Sequence, residues 1–335
     1  MPGPDVPFPP MEAELVAELP SGDGWQYEPK WDGFRGVLEN DGGELALWSR
    51  NGRPLLRYFP ELAALGDLLP PHSALDGEIV IERKGALDFD AMQMRLHPAE
   101  SRVRKLAGEI PATFIAFDVL LWDGKPLHEL PLEQRRKELE RRAKRFTLSP
   151  ASRERAEAER WLDRLDRAGL DGVVAKRLGL PYLSGSRDGV VKVKRHRTAD
   201  CVVVGVRWKA DGKLATLLLG LYDSKGELDY VGSAAVAQTK QEEIRALIEP
   251  LLKNAPERQF SEPSRWGNPE LKESALRPEL VVEIRFDKLE RRRFRHGTRL
   301  LRFRPDKDPA QCTWREVRPP RRKGDPSVAD LLGTA

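Results

Sequence analysis

The sequence contains only two cysteines, Cys201 and Cys312, among its 335 residues. Two thiols exclude a scaffold built on disulfides and any zinc module with four cysteine ligands. The five histidines are scattered along the chain and show no metal-ligand spacing. The longest apolar run, Leu214–Tyr222, is far shorter than the roughly 20 residues of a membrane span, and the N-terminus carries no export signal. These absences predict a reduced, cytoplasmic protein without a membrane partner.

What the sequence does contain is charge in nearly balanced amounts, 57 Lys and Arg against 53 Asp and Glu, for a net charge of +4. Its hydrophobic content of 40% is ordinary for a folded globular chain. At roughly 150 residues per domain, the length allows two domains. Neither a G-x-x-x-x-G-K-[ST] phosphate loop nor the dinucleotide motif G-x-G-x-x-G follows a predicted strand, so neither nucleotide-binding fold is supported.

The first part of the chain alternates strand-like and helix-like segments. Short β-branched or aromatic runs predict strands over 74–82, 113–122 and 172–176. Charged segments with helical spacing predict helices over 133–145 and 152–168. We interpret the dense charge of both helices as a solvated face.

A domain boundary is predicted near residues 198–200, after a basic strand over 190–197. Beyond it one helix, opened by the capping-box pattern Thr239-Lys240-Gln241-Glu242, interrupts a series of β runs. These runs lie at 201–208, 215–222, 227–233, 280–286 and 300–304. The series predicts a small Greek-key barrel of the OB type, and a sandwich fits the strand count nearly as well. The expected domains are 1–199 and 200–318, followed by a flexible tail over 319–335.

The segment Lys30-Trp31-Asp32-Gly33-Phe34-Arg35 is the first candidate for chemistry. It can place an amine, a tight turn and a second cation around one phosphate group. The alternative is a surface Asp-Gly turn with a neighbouring ion pair. The pattern alone leaves both interpretations open.

Other short motifs follow in a fixed order. They are Ser49-Arg50-Asn51-Gly52, Asp76-Gly77-Glu78, Phe117-Asp118, Asp171-Gly172-Val173-Val174-Ala175-Lys176 and Lys192-Val193-Lys194. Strand alternation puts Lys192 and Lys194 on one face, where two cations repel each other unless an anion lies between them. Each motif alone fits a turn, a half-buried strand or a basic strand, but these explanations account poorly for the ordered set.

With these motifs in order, the sequence resembles the covalent nucleotidyltransferases, and among them the ATP-dependent DNA ligases. It is most similar to the small bacterial ligase C type, which is related to the ligase domain of ligase D. The resemblance runs from Tyr27 to about Val317 and includes Arg304-Pro305-Asp306-Lys307 as the last motif. It implies an α+β protein with an ATP-grasp-like nucleotidyltransferase (adenylation) domain, followed by a C-terminal OB-fold β-barrel domain.

The resemblance also implies a role for each motif. Lys30 becomes adenylated, and Glu78 and Asp171 hold Mg²⁺ or Mn²⁺. Residues that bind ATP are Glu28, Arg35, Arg50, Glu78, Phe117, Lys192, Lys194, Arg304, Asp306 and Lys307. Residues that bind DNA are Arg50, Arg195, Arg291, Arg292, Arg293 and Arg295. The OB domain is expected to bring Arg304, Asp306 and Lys307 over ATP and then to turn towards DNA.

This chemistry needs a neutral lysine, because an amine near the ordinary pKa of about 10.4 is protonated and cannot attack. We expect Mg²⁺ with Lys192, Lys194 or Arg35 to disfavour a further positive charge on Lys30. Two basic segments suit the phosphates of nicked duplex DNA without sequence specificity. Residues 281–307 carry ten Lys and Arg against four acids, and residues 187–197 carry five against one. The alternatives are solvated acids at strand ends for Glu78 and Asp171, and a solubilising loop for 291–295.

Two positions depart from the resemblance: Asp171 stands where Glu is common, and Val191 stands where many relatives have an aromatic residue. RNA ligases and capping enzymes share the lysine motif, and a non-catalytic OB-fold single-strand binder is a further alternative. NAD-dependent ligases add an N-terminal NAD-binding domain and a Cys₄ zinc module, so ATP is the expected donor. We expect a monomer that acts in DNA repair or recombination at the bacterial nucleoid, with unknown repair partners.

Overall fold

The computed structural model describes residues 6, 8–164, 168–194, 197–255, 272–287, 289–290, 292–294, 298–317 and 326–333. The chain divides into two compact units. The first comprises Met1–Arg195 with Arg322–Ala335, and the second comprises His196–Arg321. This division lies four residues before the predicted boundary, because the strand that starts at Arg197 pairs along its whole length inside the second unit.

The first unit contains a four-stranded and a six-stranded sheet. The four-stranded sheet has the order β1-β12-β11-β2, with β1 at Glu14–Val16, β2 at Trp25–Lys30, β11 at Gly172–Arg177 and β12 at Val190–Lys194. The six-stranded sheet comprises β3 (Phe34–Asp41), β4 (Glu44–Ser49), β5 (Ser73–Val80), β8 (Thr113–Trp122), β9 (Lys125–Pro126) and β10 (Thr147–Leu148). A separate hairpin pairs β6 (Glu82–Arg83) with β7 (Ala86–Leu87).

Strand β8 has the bounds expected from the sequence and is buried along almost all of its length. It lies inside the six-stranded sheet, between β10 and β5. A strand covered on both faces needs an apolar run rather than alternation, which explains the sequence TFIAFDVLLW. This sheet places Arg35, Asp76, Glu78 and Phe117 on three adjacent strands.

Among the described residues of the first unit, four α-helices lie between the strands: α1 (Phe89–Arg95), α2 (Glu100–Glu109), α3 (Leu132–Arg142) and α4 (Arg155–Arg164). Short 3-10 helices span Leu56–Tyr58 and Pro60–Asp67. The expected helix start at residue 152 is wrong, because Ser152 exchanges two backbone hydrogen bonds with Tyr27. The expectation of a fully solvated charged face is wrong for Arg135 of α3, which is 2% exposed.

The expected flexible tail is wrong for its last part. Val328–Leu332 form a short helix, α6, which Ser327 and Asp330 cap reciprocally. Val328 is buried in the same hydrophobic cluster as Trp161 of α4. An apolar anchor and a capping box therefore fix this segment against the first unit. Residues 318–325 lie outside the described part of the chain.

In the second unit, five strands pair in a closed ring of order β13-β14-β15-β19-β16. They are β13 (Arg197–Trp208), β14 (Leu214–Tyr222), β15 (Leu228–Ala235), β16 (Lys272–Phe286) and β19 (Arg299–Phe303). A small hairpin of β17 (Leu289–Glu290) and β18 (Arg293–Phe294) precedes β19. The ring excludes the sandwich alternative for these strands. Its core contains both cysteines, which are buried and free.

One helix of the second unit, α5 (Gln241–Leu252), matches the expected position, but its expected capping box is absent. Thr239 lies in the 3-10 turn Gln238–Lys240, and Lys240 occupies the N-cap without a side-chain hydrogen bond. Instead, Gln241 makes two hydrogen bonds of 2.9 Å to the backbone of Leu214. Tertiary contact to β14 thus fixes the start of the helix. Among the described residues, no helix is both long and apolar enough to cross a membrane.

Candidate active site

A cavity of about 220 Å³ in the first unit is lined by residues of both sheets. One side of the cavity, here called its floor, is formed by side chains of β2, β11 and β12 in the four-stranded sheet. The register of these strands determines which side chains lie there, because alternate residues of a strand share a face. The three rows across these strands are Lys30–Gly172–Lys194, Glu28–Val174–Lys192 and Gln26–Lys176–Val190. The register therefore brings three of the sequence motifs together.

Two glycines allow the backbones to meet at this point. A Cβ atom on Gly172 would lie 2.0 Å from the carbonyl oxygen of Val193, and one on Gly33 would lie 2.0 Å from that of Ile79. No side chain fits at either position. Packing therefore requires the glycine of each Asp-Gly pair, whatever chemistry the acids perform.

Lys30 is held by an acid. Its Nζ donates a hydrogen bond of 2.6 Å to Oδ2 of Asp171, and Nζ of Lys194 lies 3.6 Å from the same oxygen. Burial opposes the positive charge of Lys30, but the charge and the hydrogen bond of Asp171 hold the pKa of its amine above the ordinary value. The side chains alone do not give the expected neutral amine, because the carboxylates of Asp171, Asp32 and Glu78 all raise its pKa. The effect of Mg²⁺ together with Lys192, Lys194 or Arg35 stays a prediction.

Glu78 lies on β5, opposite Arg35 of β3. Its Oε1 accepts a hydrogen bond of 3.1 Å from the backbone amide of Gly33, which lies within the lysine motif. Burial raises the pKa of Glu78 to about 7, although the cations Arg35 and Lys30 oppose the shift. Glu78 and Asp171 thus both act on the charge of Lys30. In the part of the chain that the structure describes, no group of three or more His, Cys, Asp or Glu is placed to hold a metal ion.

The ring of Phe117 is contacted by two cations. Cζ of Arg35 lies 4.7 Å from its centroid and Nζ of Lys176 lies 4.4 Å from it. Each cation has its own buried carboxylate: Arg35 donates two hydrogen bonds to Asp76, and Lys176 donates one of 2.8 Å to Glu28. Two ion pairs therefore lie against an aromatic surface inside the cavity, which suits a ligand with a flat ring.

Most predicted nucleotide-site residues of the first unit lie at this cavity. Those that line it are Glu28, Lys30, Arg35, Arg50, Glu78, Phe117 and Lys192. Asp171 and Lys194 are not among the lining residues, but Asp171 contacts Lys30 and Lys194 lies 3.6 Å from Asp171. Arg50 is exposed at the cavity. Burial and the charges of Lys30 and Lys194 lower the pKa of Lys192.

Sequence reasoning assigned no site role to several other lining residues, among them Asp76, Asp118, Arg135, Lys176 and Tyr182. Three of them belong to motifs that the sequence analysis had already singled out, so their positions could have suggested a role. Arg135 makes a paired contact of 2.8 and 2.9 Å with Asp118. Arg135 lies on a helix whose charge pattern indicated solvent, and nothing in the sequence pointed to Tyr182.

The second unit holds the last motif in a cluster of charges. Nη1 of Arg304 lies 3.0 Å from Oδ2 of Asp200, and Nζ of Lys307 lies 2.7 Å from the same oxygen. Arg304 also donates to Asp306, and Lys307 donates to Glu316 at 2.8 Å. Asp200 is only 8% exposed. This buried acid therefore fixes both cations on the barrel.

The predicted DNA-binding arginines other than Arg50 are only partly described. Arg292 forms an ion pair with Asp229, and its guanidinium lies 4.7 Å from the Trp314 ring. Arg293 lies 5.1 Å from the ring of Tyr230. Arg195, Arg291 and Arg295 lie outside the described residues.

Comparison with known proteins finds the family that the sequence motifs resemble. The model of the ATP dependent DNA ligase domain matches residues 10–194, and that of the ATP dependent DNA ligase C terminal region matches residues 210–307. The chain is 43% identical to DNA ligase C1 of Mycolicibacterium smegmatis over 331 residues, covering 94% of both proteins. It is 39% identical to DNA ligase C of Mycobacterium tuberculosis, again covering 94% of both.

A solved structure of a Lig E DNA ligase shares the fold. The two align with a TM-score of 0.54 at 16% identity, covering 88% of this chain and all of the other. At this identity the likeness bears on the fold alone.

Proposed function

The chain belongs to the family of ATP-dependent DNA ligases, and we propose that it joins DNA strands through adenylation of Lys30. The observation that carries this proposal is the position of the Lys30 amine, beside Asp171 and Lys194 and at a cavity lined by cations and Phe117. Nζ attacks the α-phosphorus of ATP and pyrophosphate leaves. The AMP then passes to a DNA 5′-phosphate, and a 3′-hydroxyl displaces it to seal the nick.

Before the first step, the amine must lose a proton, because an ammonium has no lone pair with which to attack. Oδ2 of Asp171 accepts a hydrogen bond from Nζ at 2.6 Å and is placed to take that proton. Lys192 and Arg35 line the cavity and retain positive charge near the phosphates. Charge that builds on the α-phosphate would meet these fixed cations, which favours the transition state.

Phe117 and Glu28 are proposed to hold the base and Arg50 the sugar. The Phe117 ring offers a flat surface at the cavity, and Glu28 is a hydrogen-bond acceptor on its floor. An acceptor suits the exocyclic amine of adenine.

Glu78 and Asp171 are proposed to hold Mg²⁺ or Mn²⁺. Carboxylate oxygens are the ligands that these hard ions prefer, and Mg²⁺ commonly combines one or two carboxylates with substrate phosphates and water. When bound, the ion would neutralise part of the phosphate charge. The two carboxylates supply oxygen donors of this kind, and both raise the pKa of Lys30, which places their charges near its amine.

The five-stranded ring of the second unit is proposed to be an OB fold, with Arg304, Asp306 and Lys307 serving the triphosphate in the first step. Asp200 and Glu316 hold the two cations on the barrel, which supports a role as a rigid group. The basic segments over 187–197 and 281–307 are proposed to bind the backbone of nicked duplex DNA.

A single experiment tests this function. The enzyme is incubated with α-labelled ATP and Mg²⁺, freed of nucleotide, and then given an excess of a nicked duplex. We expect the label to move from protein to DNA and then to free AMP as the nick closes. Label that stays on the protein would contradict the proposed strand joining. A parallel incubation with GTP in place of ATP tests the nucleotide donor, and a nick with an RNA 3′ strand tests the substrate.

A further inference from the structure

A tyrosine outside the sequence motifs lies at the cavity with its hydroxyl fully engaged. Tyr182 is 6% exposed and lies in the segment between β11 and β12. Its hydroxyl donates to Oδ2 of Asp76 at 2.7 Å and accepts from the backbone amide of Met11 at 3.1 Å. Because the Met11 amide can only donate, the phenol proton must point to Asp76.

Asp76 is completely buried and binds Arg35 through both carboxylate oxygens. Oδ2 thus accepts from both Arg35 and Tyr182, and the orientation of the carboxylate depends on both donors. Arg35, in turn, reaches the cavity and lies against Phe117. A chain of contacts therefore runs from Met11 through Tyr182 and Asp76 to Arg35.

The ring of Tyr182 is itself fixed. Its backbone amide donates to the carbonyl of His128 at 2.8 Å, and the guanidinium of Arg135 lies 5.7 Å from its centroid. Burial and the neighbouring charge of Asp76 hold the pKa of Tyr182 well above its ordinary value. The hydroxyl therefore remains a donor throughout the working pH range.

From this geometry we propose that Tyr182 is a positioning residue for self-adenylation, acting through Asp76 to fix the guanidinium of Arg35 at the cavity. The inference rests on the proposed nucleotide-binding role of Arg35. Without the hydroxyl, Arg35 keeps its charge and its attraction for ATP but loses its fixed direction. A misplaced group lowers the rate of the chemical step more than it weakens binding.

The test compares Tyr182→Phe with Tyr27→Phe in the full chain. Tyr27 is also buried in the same unit, and its hydroxyl donates to the carbonyl of Pro20 at 2.9 Å rather than to a carboxylate. We expect Tyr182→Phe to lower the maximal rate of self-adenylation about tenfold, to change KM for ATP less than threefold and to leave the final labelled fraction unchanged. Tyr27→Phe should match the wild type in all three.

A second comparison asks whether the tyrosine acts through Arg35. In an Arg35→Lys background, which cannot make the two-point contact with Asp76, Tyr182→Phe should slow adenylation less than twofold further. The proposal would be overturned if the two substitutions slowed adenylation by the product of their separate factors. It would also be overturned if Tyr182→Phe alone adenylated at the wild-type rate. A loss confined to the final labelled fraction, and equal in the two Phe variants, would also overturn it by indicating a folding role only.

A readout that needs no catalysis separates this inference from the proposed function. The Nε–H resonance of Arg35, assigned by its loss in Arg35→Lys, should exchange slowly in the wild type and in Tyr27→Phe and quickly in Tyr182→Phe. If the three proteins show these exchange rates but the wild type does not adenylate itself, the proposed function fails while the positioning role stands. Equal exchange in the wild type and Tyr182→Phe would overturn the positioning role.

Discussion

Nζ of Lys30 and Oδ2 of Asp171 are joined by a hydrogen bond of 2.6 Å. The two residues are 141 positions apart in the sequence and meet because Lys30 is in register with Gly172, the neighbour of Asp171. In the absence of ATP, this ion pair favours the ammonium form of Lys30, the proposed nucleophile, because it raises the pKa of the amine. Activation therefore requires that Asp171 release the lysine or take its proton.

The reactivity of the free amine should reveal this ion pair. Asp171 raises the pKa of Lys30, so Asp171→Asn lowers it and increases the neutral fraction at any pH below that pKa. Each unit of pKa corresponds to about a tenfold change in that fraction. We expect an amine-modifying reagent at pH 8 to label Lys30 several-fold faster in Asp171→Asn, as measured by peptide mass spectrometry. Equal or slower labelling would contradict the ion pair.

The Glu28–Lys176 pair should stabilise the floor of the cavity. Both side chains are buried, at 4% and 11% exposure, so removal of one leaves the other as an uncompensated charge. Lys176→Met should lower the free energy of unfolding by about 3 kcal/mol, and the double variant with Glu28→Gln should recover most of that loss. Urea unfolding measures both. Additive losses would show that the two residues do not act as a pair.

The Asp118–Arg135 pair should make stability depend on pH in acid. Burial works against the charge on Asp118, but Arg135 outweighs it, so the pKa of Asp118 is lower in the folded protein than the ordinary value. A lowered pKa stabilises the fold above the unfolded value of about 3.9, and that stabilisation disappears as the pH falls through the folded pKa. We expect Asp118→Asn to lose about 3 kcal/mol of unfolding free energy at pH 7 and clearly less at pH 3. A loss that does not vary with pH would rule out this explanation.

Lys307 should separate the first chemical step from the last. If it serves the triphosphate, Lys307→Ala abolishes self-adenylation and leaves the sealing of pre-adenylated nicks within a few-fold of the wild type. Lys225→Ala provides the control, because it removes the same charge from an exposed turn of the same unit. The two reactions are followed by labelled protein and by a labelled strand on a gel. Normal adenylation with failed sealing would instead place Lys307 at the DNA.

The sequence was sufficient to predict those candidate-site residues that lie on regular strands or in Asp-Gly turns. Lys30, Glu28 and Lys192 share one face because strand alternation is strict, and the Asp-Gly pairs mark close backbone contacts. The strand with the sequence TFIAFDVLLW was predictable to the residue because a fully buried strand has a distinctive composition.

What could not be predicted depended on distant partners. Arg135 is in a helix whose local charge pattern is that of a solvated face, and only the position of Asp118 on β8 makes it buried. Lys30 was expected to be neutral because the neighbouring cations were visible as motifs, whereas the distance to Asp171 was not. Thr239 lost its capping role to the contact between Gln241 and Leu214, which joins two segments 27 positions apart.

The measurement that tests the central claim most directly is covalent labelling of Lys30. Wild-type enzyme and Lys30→Ala are incubated with α-labelled ATP and Mg²⁺, denatured, and separated from free nucleotide. We predict an acid-labile, phosphoramidate-linked AMP on the wild type at position 30 and none on Lys30→Ala. An unlabelled wild type, or a Lys30→Ala variant that labels as the wild type does, would contradict the assignment of Lys30 as the nucleophile.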